Sequence, residues 1–141
     1  MESIQEIQNG IVEDFSFLPE WDERYAYLIE LGQKMDPLPE EYRTEENIVR
    51  GCQSTVWLHL ECQGDTVFFK ADSDSLIVKG LAALLTQVFS DQPAAEVLKA
   101  DLSFFEETGL NKHLSSQRTN GLMAMIEEIR AFALKCQAGE V

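Results

Sequence analysis

Residues 54–71 read Ser54-Thr55-Val56-Trp57-Leu58-His59-Leu60-Glu61-Cys62-Gln63-Gly64-Asp65-Thr66-Val67-Phe68-Phe69-Lys70-Ala71. In the first half, Val56, Leu58 and Leu60 alternate with Trp57, His59 and Glu61, the period of a strand that buries one face. Gln63-Gly64-Asp65 is a short turn. Residues 66–71 then read as a second strand with Val67 and Phe69 on one face. Two strands joined this closely most simply form an antiparallel hairpin. Just upstream, Asn47-Ile48-Val49-Arg50 is expected to add a third, short strand ahead of Gly51.

Downstream, Asp72-Ser73-Asp74-Ser75 supplies capping side chains immediately before Leu76-Ile77-Val78-Lys79-Gly80-Leu81-Ala82-Ala83-Leu84-Leu85. That run is apolar nearly all the way round, which predicts a central helix buried against the sheet. A glycine inside it costs helix stability, so Gly80 points to a close packing contact. Two short helices are expected next, one after Asp91 with Pro93 in its first turn and one over residues 102–108, stopped by Gly109. The last helix is predicted to begin near Ser116 or Thr119 and to carry Leu122, Met125 or Ile126, Ile129 and Ala133.

Upstream of the hairpin, Ile4, Ile7 and Ile11 recur at helical spacing. A second helix is expected from Pro19, with Trp21, Tyr25, Leu28 and Ile29 on its face and Gly32 as its stop. A polar connection, Asp36-Pro37-Leu38-Pro39-Glu40-Glu41, follows. Helices before and after a compact antiparallel sheet make an α+β domain: a small three-stranded sheet, a buried central helix and flanking N- and C-terminal helices. The chain reads as a single domain, residues 1–141.

Composition narrows the function. Of 141 residues 45% are apolar, 25 are acidic and 11 basic, for a net charge of −14. Such a chain can bury a core but lacks the cations that non-specific nucleic-acid binding needs. It is equally unsuited to an anionic membrane surface. The start, Met1-Glu2-Ser3-Ile4-Gln5-Glu6, has neither the basic nor the apolar region of a secretory signal. The most apolar stretch, residues 76–89, is too short to span a bilayer. A cytoplasmic location is expected, with cysteines normally reduced, each a core residue, a metal ligand or a reactive thiol.

Cys52 stands in Arg50-Gly51-Cys52-Gln53-Ser54, at the junction of two extended segments. A loop thiol there can be presented to a partner; a small buried residue is the other reading.

Four segments carry a family resemblance: Gly51-Cys52-Gln53-Ser54-Thr55-Val56-Trp57-Leu58, Ala71-Asp72-Ser73-Asp74, Ile77-Val78-Lys79-Gly80-Leu81 and Arg118-Thr119-Asn120-Gly121-Leu122. With Trp21, Arg24, Tyr25 and Leu28-Ile29-Glu30-Leu31-Gly32, they resemble the SufE family of sulfur-acceptor proteins, in the right order over roughly the whole domain. The resemblance implies a SufE/IscU-like fold and a cytoplasmic, non-enzymatic partner of a pyridoxal-phosphate cysteine desulfurase (SufS-like). It would stimulate that enzyme, accept sulfur as a persulfide and pass it to an iron–sulfur cluster scaffold (SufBCD-like). Cys52 matches the acceptor cysteine, Arg118 an arginine near it, and Asp72 and Asp74 the acidic segment leading into the central helix. Arg50, Gly51, Gln53 and Ser54 complete the expected loop and partner-binding set. No cofactor and no metal are expected, and a monomer on its own is the family-like state.

The chemistry suits the residues. A thiolate attacking the sulfane sulfur of a persulfide follows the rules of thiol–disulfide exchange, so its ionisation and access control the rate. Arg50 and Arg118 are the cations able to favour the Cys52 anion. Because a persulfide is easily lost, shelter from Val56, Trp57 and the buried helix is expected, with the Cys52 loop more buried than an open nucleophile.

Cys62 lies about ten residues beyond Cys52, roughly 33 Å along an extended strand, and Cys136 continues the Ile129 and Ala133 face. Both read as packing residues, so the odd cysteine count needs no disulfide mate. His59 and His113 lack partners at metal-ligand spacing and are placed at the surface or its boundary. Asp72 and Asp74 read as helix caps. Glu40-Glu41, Glu45-Glu46 and Glu127-Glu128 read as solvated charge, part of which would steer a basic partner. Two competing functions are weighed. An iron–sulfur or zinc scaffold needs several convergent ligands, and a cysteine hydrolase needs an activating histidine that the Cys52 loop does not announce.

Overall fold

The computed structural model describes residues 2–51 and 53–141. The hairpin forms as its alternation predicts: β1 (Val56–Gln63) pairs antiparallel with β2 (Thr66–Ser73), in a register running from Val56 opposite Ser73 to Gln63 opposite Thr66. Gly64, in the left-handed region at φ 62°, supplies the tight turn. One face of the ribbon, with Val56, Leu58, Val67, Phe69 and Ala71, is buried in the core.

The third strand is a different one from that expected. Residues 92–93 form β3 (Gln92–Pro93), which pairs with Thr66 and Val67 to give the sheet order β1-β2-β3. Residues 47–50 contribute only a single bridge, Ile48 to Trp57, with the Val49 amide donating to the Val56 carbonyl at 2.9 Å. The chain turns away at Arg50, before a ladder can extend.

Helix α1 (Ile4–Ser16) opens on a capping box between Ser3 and Glu6. Its buried stripe is Ile4, Gln8, Ile11 and Phe15. Gln8 is a buried polar residue that periodicity passes over. Its Oε1 accepts from the Phe104 amide (2.9 Å) and Ser103 hydroxyl (3.1 Å), and its Nε2 donates to the Asp101 carbonyl (3.1 Å). It thereby satisfies the start of α5 (Ser103–Glu107) from a different helix.

Helix α2 (Trp21–Lys34) starts two residues beyond Pro19 and runs through Gly32, which does not stop it. The reason lies on α3 (Leu76–Phe89), the central helix, which Ser75 caps by accepting from the Val78 amide. A Cβ on Gly80 would stand 2.3 Å from the Leu28 carbonyl oxygen, and one on Gly32 would stand 2.9 Å from the Gly80 nitrogen. The two glycines let α2 and α3 touch backbone to backbone, the close contact that Gly80 signals. Arg24 braces the start of α2, donating to the carbonyls of Leu18 (2.7 Å) and Thr108 (2.9 Å).

Past β3, α4 (Ala94–Lys99) and α5 lead to Gly109, at φ 83°. Gly109 ends α5 as expected and also opens one further turn, α6 (Leu110–His113), which the sequence reading lacks. Helix α7 (Ser116–Gln137), capped by Ser115, buries Leu122, Met125, Ile126, Ile129, Ala133 and Cys136.

The cysteine reading needs correction. Cys62 and Cys136 are bonded as a disulfide with Cα atoms 5.7 Å apart, tying the end of β1 to the last turn of α7 across 74 residues of sequence. Cys136 does sit on the apolar face, and is buried. The pair is a cross-link as well as packing.

Asp72 and Asp74 do not cap α3 as expected; Ser75 does, and the two carboxylates are engaged elsewhere. The Asp72 carboxylate, on the sheet face opposite the core, receives Arg43 and Lys79 (3.3 Å) together with the Ser73 amide (2.8 Å). Arg43 in turn lies over the Trp57 ring, 5.1 Å from its centroid, while Tyr42 stacks on His59 at 3.6 Å. The 3-10 turns at Glu40–Tyr42 and Glu45–Asn47 thus cover the outer face of the hairpin. Burial alone would raise the Asp72 pKa; the Ser73 amide, Arg43 and Lys79 outweigh it and hold the carboxyl below its ordinary value. A lowered folded pKa means stability that is present at neutral pH and lost as pH falls through that value. Wild type should therefore be more stable than Asp72→Asn at pH 7, and urea melts should show the gap closing as pH drops below 3.8. A gap independent of pH would contradict this ion cluster.

Candidate functional site

The loop between Val49 and Val56 is closed at its base and held at its sides. Thr55, on its downstream side, is clasped by the connection from β2 to α3. Its amide donates to the Asp74 carboxylate (3.1 Å), and its carbonyl accepts from the Ser73 hydroxyl (2.9 Å) and the Asp74 amide (3.2 Å). Asp74 thus holds the Thr55 amide at the base of the loop, while Asp72 belongs to the Arg43–Lys79 cluster. Gly51 adopts φ 91°, the left-handed region that glycine enters at little cost.

Beside this loop the first turns of α3 and α7 converge. A cavity of about 320 Å³ is lined by Gln53 and Ser54 from the loop, Ser75 and Val78 from α3, and Gln117, Arg118 and others from α7. Arg118, 64 residues past Ser54 in sequence, is brought to the loop because Ser115 starts α7 at this point. The lining is polar, carries the Arg118 cation, and lies at the positive ends of two helices, an environment suited to an anion.

Of the eight predicted site residues, Gln53, Ser54 and Arg118 share this cavity. Arg50 and Gly51 lie on the exposed upstream side of the loop, Asp74 pins the downstream side, and Asp72 stands apart. Cys52 itself, with the expectation that its sulfur is sheltered, lies outside the described residues; Arg50, Gly51 and Gln53 are exposed and Ser54 is half-buried. Of the expected shelter, Val78 of the buried helix lines the cavity. Val56 points into the core and Trp57 lies under Arg43 on the opposite sheet face.

Residues 9–133 match the model of the SufE family, described as the Fe-S metabolism associated domain. The chain belongs to the SufE family. It is 46% identical over 128 residues to an uncharacterized SufE-like protein of Rhizobium meliloti (strain 1021), covering 87% of this chain and 91% of that one. A SufE-like protein of Rhizobium etli is also 46% identical, over 125 residues and 85% and 84% of the two chains. The solution structure of a hypothetical protein from Thermus thermophilus superposes with a TM-score of 0.77 at 25% identity, over 94% of this chain and 96% of that one.

Several residues that carry the SufE resemblance prove to be architectural. Arg24 holds carbonyls and covers Trp21, 4.9 Å from its centroid; Trp21 stacks on His113 at 3.7 Å, and Tyr25 donates to the His113 carbonyl. Gly32 and Gly80 form the helix contact. His59 and His113 occupy the boundary and surface positions expected, each stacked on an aromatic ring.

One residue at the loop is missed by sequence reading. Glu128 of α7 is half-buried rather than fully solvated. Burial pushes its pKa up, while the Arg50 amide and charge pull it back without cancelling the rise. No sequence period marks this residue, because its burial comes from packing against segments distant in sequence. No helix among the described residues is long and apolar enough to cross a membrane.

Proposed function

We propose that this SufE-family protein is a sulfur carrier whose acceptor is Cys52. The Cys52 thiolate attacks the terminal sulfur of a hydropersulfide on a pyridoxal-phosphate cysteine desulfurase. A new S–S bond forms at Cys52, the S–S bond of the donor breaks, and the donor cysteine leaves as a thiolate, with no net oxidation. The chain then delivers that sulfur to an iron–sulfur cluster scaffold. The carbon–sulfur bond of cysteine is broken by the partner, and this chain supplies a thiol and a docking surface.

The observation that carries the reading is the convergence of Arg118 with Gln53 and Ser54, the residues directly following Cys52, on one polar cavity. A guanidinium there favours an anionic sulfur over its protonated form. The acidic balance of the chain suits a partner with a basic docking face, where it would mainly speed association.

The test is desulfurase turnover, measured as alanine formed from cysteine under limiting reductant. Wild type should raise the rate, and Cys52→Ser should return it to that of the desulfurase alone. Arg118→Ala should raise the thiol pKa of Cys52; equal pKa values in the two proteins would remove the electrostatic role of Arg118. Stimulation that survives Cys52→Ser would overturn the acceptor assignment, and tightly retained iron or zinc without stimulation would favour a scaffold.

A further inference from the structure

We infer that the Cys62–Cys136 bond is a reversible redox site, opened by a dithiol reductant that attacks Cys62 and closed again without unfolding. The inference stands apart from the sulfur-carrier reading and draws only on the far ends of the hairpin and of α7.

The two sulfurs differ in access. Cys136 is 2% exposed, whereas Cys62 is half-buried and has exposed residues on both sides, Glu61 before it and Gln63 and Gly64 after it. A thiolate attacks a disulfide through the sulfur it can reach, so Cys62 is the target. A new S–S bond forms at Cys62, the bond to Cys136 breaks, and Cys136 leaves with the electron pair and takes a proton. The second thiol of the reductant then attacks the reductant's own sulfur in the mixed disulfide. Cys62 is released and protonated, and the reductant departs oxidised to an internal disulfide. A monothiol has no second thiol to finish the reaction, and Cys136, held beside the mixed disulfide, expels it.

The surroundings suit the open form as well as the closed one. A thiol is a weak donor, and acceptors stand ready for both. The Gly64 carbonyl oxygen is 3.2 Å from Cys62 Sγ, and the Gly64 and Thr66 carbonyl oxygens are each 3.9 Å from Cys136 Sγ. Neither sulfur depends on the bond for its place. The hairpin tip is held by the Ala94 amide donating to the Asp65 carbonyl (2.7 Å) and the Asp91 amide donating to the Val67 carbonyl (2.8 Å). The end of α7 is closed by the Gly139 amide on the Cys136 carbonyl (3.2 Å) and the Glu140 amide on the Lys135 carbonyl (2.9 Å), and Ala133 before it is fully buried. Two thiols kept opposite each other by contacts that survive reduction re-form their bond intramolecularly, at high effective concentration. The redox state of the pair thus decides whether the chain offers a thiol at Cys62, while Cys136 stays buried in both forms.

The test uses the full chain, folded and without denaturant until the quench. Native protein is treated with 2-mercaptoethanol, quenched with N-ethylmaleimide in denaturant and mapped. The mercaptoethanol adduct should fall on Cys62 roughly tenfold more often than on Cys136. At equal thiol concentration, dithiothreitol should open the bond fully where 2-mercaptoethanol leaves most of it closed. The reduced chain, given oxidised dithiothreitol, should regain the Cys62–Cys136 bond and leave Cys52 free. Two variants carry the access claim independently if the open chain loosens: Cys62 in Cys136→Ala should react with iodoacetamide roughly tenfold faster than Cys136 in Cys62→Ala. Adducts shared equally or favouring Cys136, equal alkylation in the two variants, a bond that yields only after denaturation, or reoxidation that pairs either cysteine with Cys52 would overturn the inference.

Discussion

Gly80→Ala should destabilise the protein by about 3 kcal/mol or more, although the same change in an exposed helix stabilises it by about 1 kcal/mol. The added carbon would stand 2.3 Å from the carbonyl oxygen and 2.7 Å from the carbonyl carbon of Leu28. Both are backbone atoms of a packed helix, so no side chain can swing aside and α2 must separate from α3. Gly10 in α1 is the internal control, since a Cβ there meets nothing within 4 Å. Gly10→Ala should gain about the helix-propensity difference, about 1 kcal/mol. Urea unfolding of the two variants checks both signs. A Gly80→Ala protein as stable as wild type would mean that the two helices are not in backbone contact.

The second large effect is expected from the Cys62–Cys136 bond. Cross-linking positions 74 residues apart restricts the unfolded chain, a restriction worth about 4 kcal/mol in the loop-entropy account. Reducing wild type should lower its urea midpoint accordingly, while a Cys62→Ser, Cys136→Ala double variant should be insensitive to reductant and match reduced wild type. Thiol counting should find one free thiol in the native chain and three after reduction. Identical midpoints with and without reductant, or three free thiols from the start, would remove the cross-link.

The bond also shows where a sequence reading stops. Alternation places Cys62 on the same strand face as Val56, Leu58 and Leu60, and helical spacing places Cys136 on the face of Ile129 and Ala133. Each cysteine is thereby known to point inward. That the two meet depends on where the end of α7 lands on the hairpin, and no local period encodes it. The hairpin, the buried helix capped at Ser75 and the stripe of α7 are local patterns and were legible. Residues 92–93 make too short a strand to alternate, so β3 was not. Gly32 looked like a helix stop because a glycine that ends a helix and one that lets another helix approach are alike in sequence.

The site divides in the same way. Arg50, Gly51, Gln53, Ser54 and Arg118 were available as a family resemblance, and the cavity brings Arg118 together with Gln53 and Ser54. Asp74 reads as a cap in the sequence, whereas its carboxylate holds the Thr55 amide. Glu128 is half-buried, yet a carboxylate beside another carboxylate on a helix reads as solvent-facing.

The central claim concerns one sulfur atom. After incubation with a cysteine desulfurase and cysteine, the chain should be alkylated and mapped without reduction. Trypsin cuts after Arg50 and Lys70, so Cys52 and Cys62 share a peptide, which the disulfide joins to the C-terminal peptide carrying Cys136. A second cut after Trp57 separates Cys52 from Cys62. The account predicts extra sulfur on the Cys52 fragment alone, with Cys62 still bonded to Cys136. Extra sulfur on Cys62 or Cys136, or on none of the three, would contradict it.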